Sequence, residues 1–294
     1  MCGARPAAAP LTIHTMSTGN EALSNADFAR LRALIYDESG INLSPDKKTM
    51  MEIRLKRRLR SLEIPSFNEY CDRVFAPGGK KDELVHLLDV ITTNKTDFFR
   101  EAGHFDYLVA RALPDLAARK GVARKSLVWS AGCSTGEEPY TLAMVLGEYS
   151  QQRPGFRFSV LATDISTAVL AKAAAGIFKA DVVGPVPPDL RRKYFMRSRN
   201  RESDLLRVVP EVRAVVEFRR LNFMDADFGL AEAPEIIFCR NVIIYFDRPT
   251  QVRLLQKLTR QLAPGGYFFS GHSESLQGMD LPLIPVAPAI YRKP

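Results

Sequence analysis

The chain has few of the residues that build covalent or metal-centred scaffolds: of 294 residues, four are cysteine, four histidine and one tryptophan. Cys2, Cys71, Cys133 and Cys239 stand far apart, with no C-x-x-C pair and no histidine at ligand spacing. That excludes a disulfide framework and a zinc module, and no metal is expected. No apolar run approaches the ~20 residues that a membrane span needs. Residues 1–20 contain no apolar core of the signal-peptide kind; rich in Ala, Pro and Thr, they are expected to be a disordered extension, with Met16 as an alternative start to Met1. A reducing cytoplasm is the expected setting. What is present is ordinary in amount, 46% hydrophobic and 25% charged residues, enough for one large or two modest domains with a real core. Sign is the exception. A net charge of +8 implies an acidic partner.

One stretch organises the rest, Val128-Trp129-Ser130-Ala131-Gly132-Cys133-Ser134-Thr135-Gly136-Glu137-Glu138-Pro139-Tyr140. A short apolar run gives way to a loop of small residues and then to a helical run. That order is strand, glycine turn, helix, as an open α/β sheet presents a nucleotide-like ligand at its strand ends. Acids at the start of the helical run would repel a pyrophosphate, so a dinucleotide fits poorly. They suit a ligand with hydroxyls and positive charge, such as S-adenosylmethionine. Two other readings compete: a turn that binds nothing, and the G-x-S-x-G nucleophile elbow of a hydrolase, with Ser134 as nucleophile and His272 as base. The elbow normally follows several strands of its sheet, whereas the residues before this loop read as helical.

The N-terminal third carries two amphipathic patterns. Ser24 with Asp27 marks a helix start, Phe28, Leu31, Leu34 and Ile35 follow at helical spacing, and Gly40 suits the C-terminus. Ser44-Pro45 opens a second helix to about Leu62, whose apolar stripe is Met51, Leu55, Leu59 and Leu62. Beside that stripe Lys47, Arg54, Arg57 and Arg58 share one arc at ~100° per residue. A solvated face is one reading. The other is a docking surface for carboxylates on an acidic helix or for a phosphate backbone, which the sequence does not separate. With further helical pattern over 66–74 and 82–91, this third is expected to be an all-helical domain spanning 21–92.

Thr92 to Arg100 then breaks the helical pattern: either Thr96 caps a new helix anchored by Phe98 and Phe99, or Asn94, Thr96 and Arg100 face the cleft between the two domains, the second running over 93–294. Phe156 to Ala162 reads as the next strand, ending at Asp164, where an acid accepts ribose hydroxyls or caps the following helix. Residues from about 184 to 218 read as an excursion, with Leu205–Val209 and Val215–Phe218 as a small hairpin. Glu235 to Cys239 reads as a buried strand delivering Arg240, Asn241, Val242 and Tyr245 to the same sheet edge.

Several of these stretches, in order, resemble the chemotaxis receptor glutamate methyltransferases of the CheR type. They are Thr92-Thr93-Asn94 with Phe98-Phe99-Arg100-Glu101, Trp129 to Tyr140, Ala162 to Ile165, Phe238 to Asp247, and Gly271-His272-Ser273-Glu274. The resemblance covers about residues 21–294. It implies a Rossmann-like α/β methyltransferase domain with a small antiparallel β-subdomain, preceded by an all-helical domain. It also implies S-adenosylmethionine as cofactor, with S-adenosylhomocysteine as product, and methylation of glutamates on the cytoplasmic helices of chemoreceptors. By position, Asn94, Thr96, Arg100, Glu137, Asp164, Asn222, Phe223, Asn241 and Val242 would contact the cofactor. Arg100 and Tyr245 would orient the reacting groups, and Lys47, Arg54, Arg57 and Arg58 would meet the receptor. The implied partner is protein, not nucleic acid, with no insertion into membrane. Some family members grip a receptor's C-terminal peptide through a glycine-containing loop of the β-subdomain. Met196 to Glu202 has no glycine, which argues against such a tether here. Two rival functions stay open: a nucleic-acid N-methyltransferase, for which Asn241 and Tyr245 offer a polar-plus-aromatic pair, and a signalling module that binds cofactor without turnover.

Overall fold

A computed structural model describes residues 22–120, 125–200 and 202–294. The expected extension over 1–20, with the choice between Met1 and Met16, lies outside the described residues, as does Arg201 of the 196–202 stretch.

Four helices build the first domain: α1 (Asn25–Ser39), α2 (Lys48–Ser61), α3 (Phe67–Phe75) and α4 (Gly79–Ile91). The Ser24 hydroxyl accepts from the Asp27 N–H to start α1, and Gly40 ends it at φ 73°, where a side chain would be strained. Pro45 opens a single 3₁₀ turn before α2. Leu31, Ile35, Met51, Leu55, Tyr70, Val74, Leu87 and Ile91 close into one apolar cluster, so the stripes read from the sequence do face inward.

A helical run then leads into the sheet: α5 (Gly103–Tyr107), a π-helical turn over Leu108–Ala112, and α6 (Leu113–Lys120). Pro114 lacks an N–H and crowds the carbonyl four residues back, and the wider turn just ahead of it relieves that clash. Next come β1 (Lys125–Ala131), α7 (Glu137–Gln152), β2 (Arg157–Asp164) and α8 (Thr167–Ala175). A three-stranded antiparallel sheet follows, from β3 (Ile177–Lys179), β4 (Phe195–Arg197) and β5 (Leu205–Val208), in the order β3-β5-β4 and with α9 (Pro188–Tyr194) between its first two strands. The chain continues through α10 (Pro210–Arg213), β6 (Val216–Arg220), β7 (Ile236–Cys239), α11 (Arg248–Gln261), β8 (Tyr267–Ser270), β9 (Ile284–Ala287) and β10 (Ile290–Arg292).

The large sheet has the order β6-β2-β1-β7-β8-β10-β9, parallel from β6 through β8, with β10 antiparallel to both β8 and β9. Successive strands leave β1 in opposite directions, to β2 and β6 on one side and to β7 and β8 on the other. The switch between β1 and β7 therefore opens a crevice at the strands' C-terminal ends. Two layers of apolar side chains, one including Val128, Phe238 and Phe269, the other Trp129, Ile237 and Phe268, cover the two faces of those central strands.

The hairpin expected from Leu205–Val209 and Val215–Phe218 does not form. Pro210 starts the short helix α10 between them, and Val216–Arg220 becomes a parallel edge strand on β2. The small antiparallel sheet instead draws on Ile177–Lys179, so it occupies 177–208 rather than 184–218. Pro285 lies in β9, which is tolerated because that strand is an edge.

Candidate functional site

The loop after β1 is fixed before any ligand arrives. The N–H groups of Gly132 and Cys133 both donate to Thr163 O, at 2.8 and 2.9 Å, tying the loop to the end of β2. Gly132 has φ 90°, and a Cβ there would lie 2.5 Å from Val242 Cγ2, so loop and β7 end pack backbone to side chain. Ser134 stands at the apex with φ 50°. Its N–H donates to Asp164 Oδ2 at 2.9 Å and its hydroxyl to Asn94 O at 2.8 Å. That commits the Ser134 proton to a backbone carbonyl. His272 lies elsewhere, against His104, so the nucleophile-elbow reading has no base beside its serine.

Asp164 also accepts from Ser166 N–H at 3.0 Å. Burial raises its carboxyl pKa, and the N–H donors of Ser166, Ser134 and Ile165 oppose the rise. Each carboxylate oxygen keeps a further acceptor position.

Around this acid lies a cavity of about 630 Å³, between the helical domain and the sheet edge. It is lined by the α1–α2 linker, the junction before Arg100, the loop after β1 with the first turn of α7, the end of β2, the segment after β6 and the turn after β7. The cavity brings together most of the residues expected at the site. Asn94, Thr96 and Arg100 line it from the junction, Asp164 from β2, and Asn222 and Phe223 from the segment after β6. Asn241, Val242 and Tyr245 line it from the turn after β7, and Lys47 from the helical domain.

Glu137 is not among the lining residues; Glu138 is. The two acids are adjacent, and the helical rotation of ~100° sends their carboxylates to different neighbours. Glu137 accepts from the Thr135 hydroxyl at 2.7 Å, and burial raises its pKa. Glu138 accepts from Ser130 Oγ and Arg240 Nε, each at 2.7 Å. Glu138 and Arg240 are thus site residues that the sequence reading passed over, although both stand inside stretches it singled out.

The arginine set divides as well. Arg54 donates to the carbonyls of Ile91 and Thr92 and to Thr93 Oγ1, capping the C-terminus of α4. Arg58 forks onto Glu83, 2.7 Å to Oε1 and 2.9 Å to Oε2, and Tyr70 donates to the same carboxylate at 3.1 Å. These two arginines hold α2 to α4. Arg57 and Arg60 are exposed on α2, beside Ile53 at 66% exposure.

Behind the cavity wall, Arg240 Nη1 donates to Arg100 O at 2.7 Å and faces His104 Nδ1 at 3.2 Å. Glu101, His104 and His272 place ligand-type atoms within 4.8 Å of one another. A guanidinium donor at Nδ1 assigns the His104 proton to Nε2, which leaves no lone pair there for a metal. Burial, then the Arg240 charge, lowers the His104 pKa to about 4.

S-adenosylmethionine fits the donor set: carboxylates and amides for hydroxyls and a cation, and an arginine for a carboxylate, while the N–H groups of Gly132, Cys133 and Ser134 are bonded to Thr163 and Asp164 rather than offered to a phosphate. An open α/β sheet with such a crevice at its switch point is that of a Rossmann-like S-adenosylmethionine-dependent methyltransferase. Sequence relationships agree. Residues 94–287 match the CheR methyltransferase SAM binding domain and residues 26–92 the CheR methyltransferase all-alpha domain. The chain belongs to the CheR methyltransferase family. It is 39% identical to a chemotaxis protein methyltransferase of Borreliella burgdorferi over 92% of this chain and 95% of that one. Similar relatives occur in Klebsiella aerogenes, 42% identical over 86% of this chain and 84% of the relative, and in Escherichia coli, 40% identical over 88% and 87%. Among the described residues no helix is long and apolar enough to cross a membrane.

Proposed function

We propose that this methyltransferase acts in the cytoplasm on chemoreceptors, esterifying glutamate side chains of their helical region. The observation that carries the reading is the position of Lys47. It lies at the foot of the basic helix α2 and lines the same cavity as Asp164 and Asn241, so a helix docked on α2 would run past the cofactor. The names of the relatives support the chemotaxis assignment. Arg57, with Arg60, is the docking pair on the exposed face.

A glutamate with an ordinary pKa near 4.3 is ionised at neutral pH, so the chain need not supply a general base. When bound, the cofactor supplies a sulfonium methyl, and transfer to a carboxylate oxygen cancels both charges, leaves a thioether and moves no proton. The protein's part is alignment and exclusion of water. Asp164 holds the ribose hydroxyls, and Asn94, Thr96, Asn222, Phe223, Asn241 and Val242 enclose the nucleoside. Arg100 pairs with the cofactor's carboxylate, and Tyr245 steadies the incoming glutamate. The β-subdomain carries no glycine over 196–200, and it is not assigned a peptide tether.

Tritium transfer from labelled cofactor to a receptor's helical cytoplasmic fragment tests the proposal. Label released as methanol by mild base is expected. Base-stable label on nucleic acid, or no label on either, would overturn it.

A further inference from the structure

Glu274 lies in the loop after β8, does not line the cavity, and is only 4% exposed. Its carboxylate accepts four backbone N–H groups. Oε2 takes those of Gly271 at 2.7 Å and Asn241 at 2.8 Å; Oε1 takes those of Val242 at 2.7 Å and Ile243 at 2.9 Å. Three of the four are consecutive and belong to the turn after β7, so one side chain sets the course of that backbone. Such bonds to an ionised acceptor are short and strong.

The turn needs this support. Asn241 has φ 58°, a left-handed conformation that a residue other than glycine keeps where its surroundings hold it. Gly271 completes the clamp. A Cβ at that position would lie 2.6 Å from Asn241 Nδ2, 2.9 Å from Asn241 N and 2.9 Å from Glu274 Oε2. Loop and turn therefore touch with no room for a side chain between them. Burial raises the Glu274 pKa, and the four N–H donors oppose that rise.

We propose that Glu274 is the positioning residue of the cofactor site, holding Asn241 and Val242 in their cavity-lining conformation before the cofactor binds. It makes no contact with the reacting atoms. Without it the turn samples other conformations, and the cofactor's apparent affinity falls by the fraction of molecules still competent. Once cofactor is bound, the turn is restored and transfer proceeds at its usual rate. This rests on the cavity being the cofactor site, which Asp164→Ala tests separately.

The experiment uses the full chain, with calorimetric titration of S-adenosylhomocysteine and steady-state kinetics on a receptor fragment. Glu274→Gln sets an amide NH2 against N–H donors, and Gly271→Ala wedges the clamp from the other side. Each is expected to raise the Kd for S-adenosylhomocysteine and the KM for the cofactor about tenfold or more, which is ~1.4 kcal/mol. The kcat at saturating cofactor and the KM for the receptor fragment should stay within about threefold. A folded Glu274→Gln with unchanged Kd, or with kcat falling as far as affinity, overturns the positioning role. If Glu274→Gln does not fold, Gly271→Ala decides by the same criteria. Unchanged binding in Asp164→Ala would instead overturn the assignment of the cavity.

Discussion

Arg240 Nε donates to Glu138 Oε2 at 2.7 Å, and their side chains are 2% and 10% exposed. The pair joins the end of β7 to the first turn of α7, across the crevice where the strand order reverses. Removing one partner of a buried pair leaves the other charge without compensation and costs about 3–5 kcal/mol. Arg240→Ala is therefore expected to lower the unfolding free energy by several kcal/mol in denaturant titration. Glu138→Gln, which keeps an acceptor for Ser130 Oγ, should cost less.

Asp164 and Arg100 separate binding from folding in a different way. Among the described residues, the side-chain bond that fastens Arg100 runs from Nη1 to Lys95 O at 3.2 Å, and the residue is half-buried. Arg100→Ala should abolish most methyl transfer with a thermal midpoint within a few degrees of the parent. Asp164→Ala should weaken S-adenosylhomocysteine binding at least tenfold by calorimetry, and should cost some stability too, because Ser134 and Ser166 lose an acceptor.

On α2 the neighbours divide by role. Arg57→Glu combined with Arg60→Glu is expected to weaken receptor-fragment binding about tenfold or more at low salt, and less at high salt, with cofactor affinity unchanged. Arg58→Ala would behave differently. It strands the buried Glu83 carboxylate, and its main effect should be a loss of stability of about 3–5 kcal/mol in the helical domain.

His104 makes stability depend on acid. Its pKa in the folded chain is about 4, against an ordinary value near 6.5, because burial and Arg240 disfavour the imidazolium. Between those values the unfolded chain binds more protons, so stability is complete above pH ~6.5 and is lost as pH falls towards ~4, by at most about 1.4 kcal/mol per unit. His104→Asn should flatten that part of the profile. Denaturant titrations of both proteins at intervals from pH 7 to 4.5 would show the two curves converging.

The central strands were legible in sequence because strands covered on both faces read as unbroken apolar runs, as in Ile236–Cys239. Part of the cavity's lining was legible from residue type and place: Asp164 at a strand end, and Asn94, Thr96 and Arg100 at a break in helical pattern. Phase and distant partners were not. Nothing local says that Glu138 rather than Glu137 turns to the cavity, since one residue of helical rotation decides it. Arg54 and Arg58 share an arc with Lys47, but the α4 carbonyls and Glu83 that occupy them lie about 25 to 38 residues away. Val216–Arg220 failed for the same reason, as its partner β2 precedes it by a whole subdomain.

The α1–α2 linker makes an antiparallel bridge from Ile41 to Phe246, Asn42 N–H donates to Tyr245 O at 2.8 Å, and Asn222 Nδ2 donates to Glu38 O at 2.6 Å. The lobe that would read the receptor thereby doubles as part of the chamber's enclosure. Chimeras that trade helical lobes between relatives would exchange cofactor retention along with target choice, unless the donor segment starts beyond Lys47.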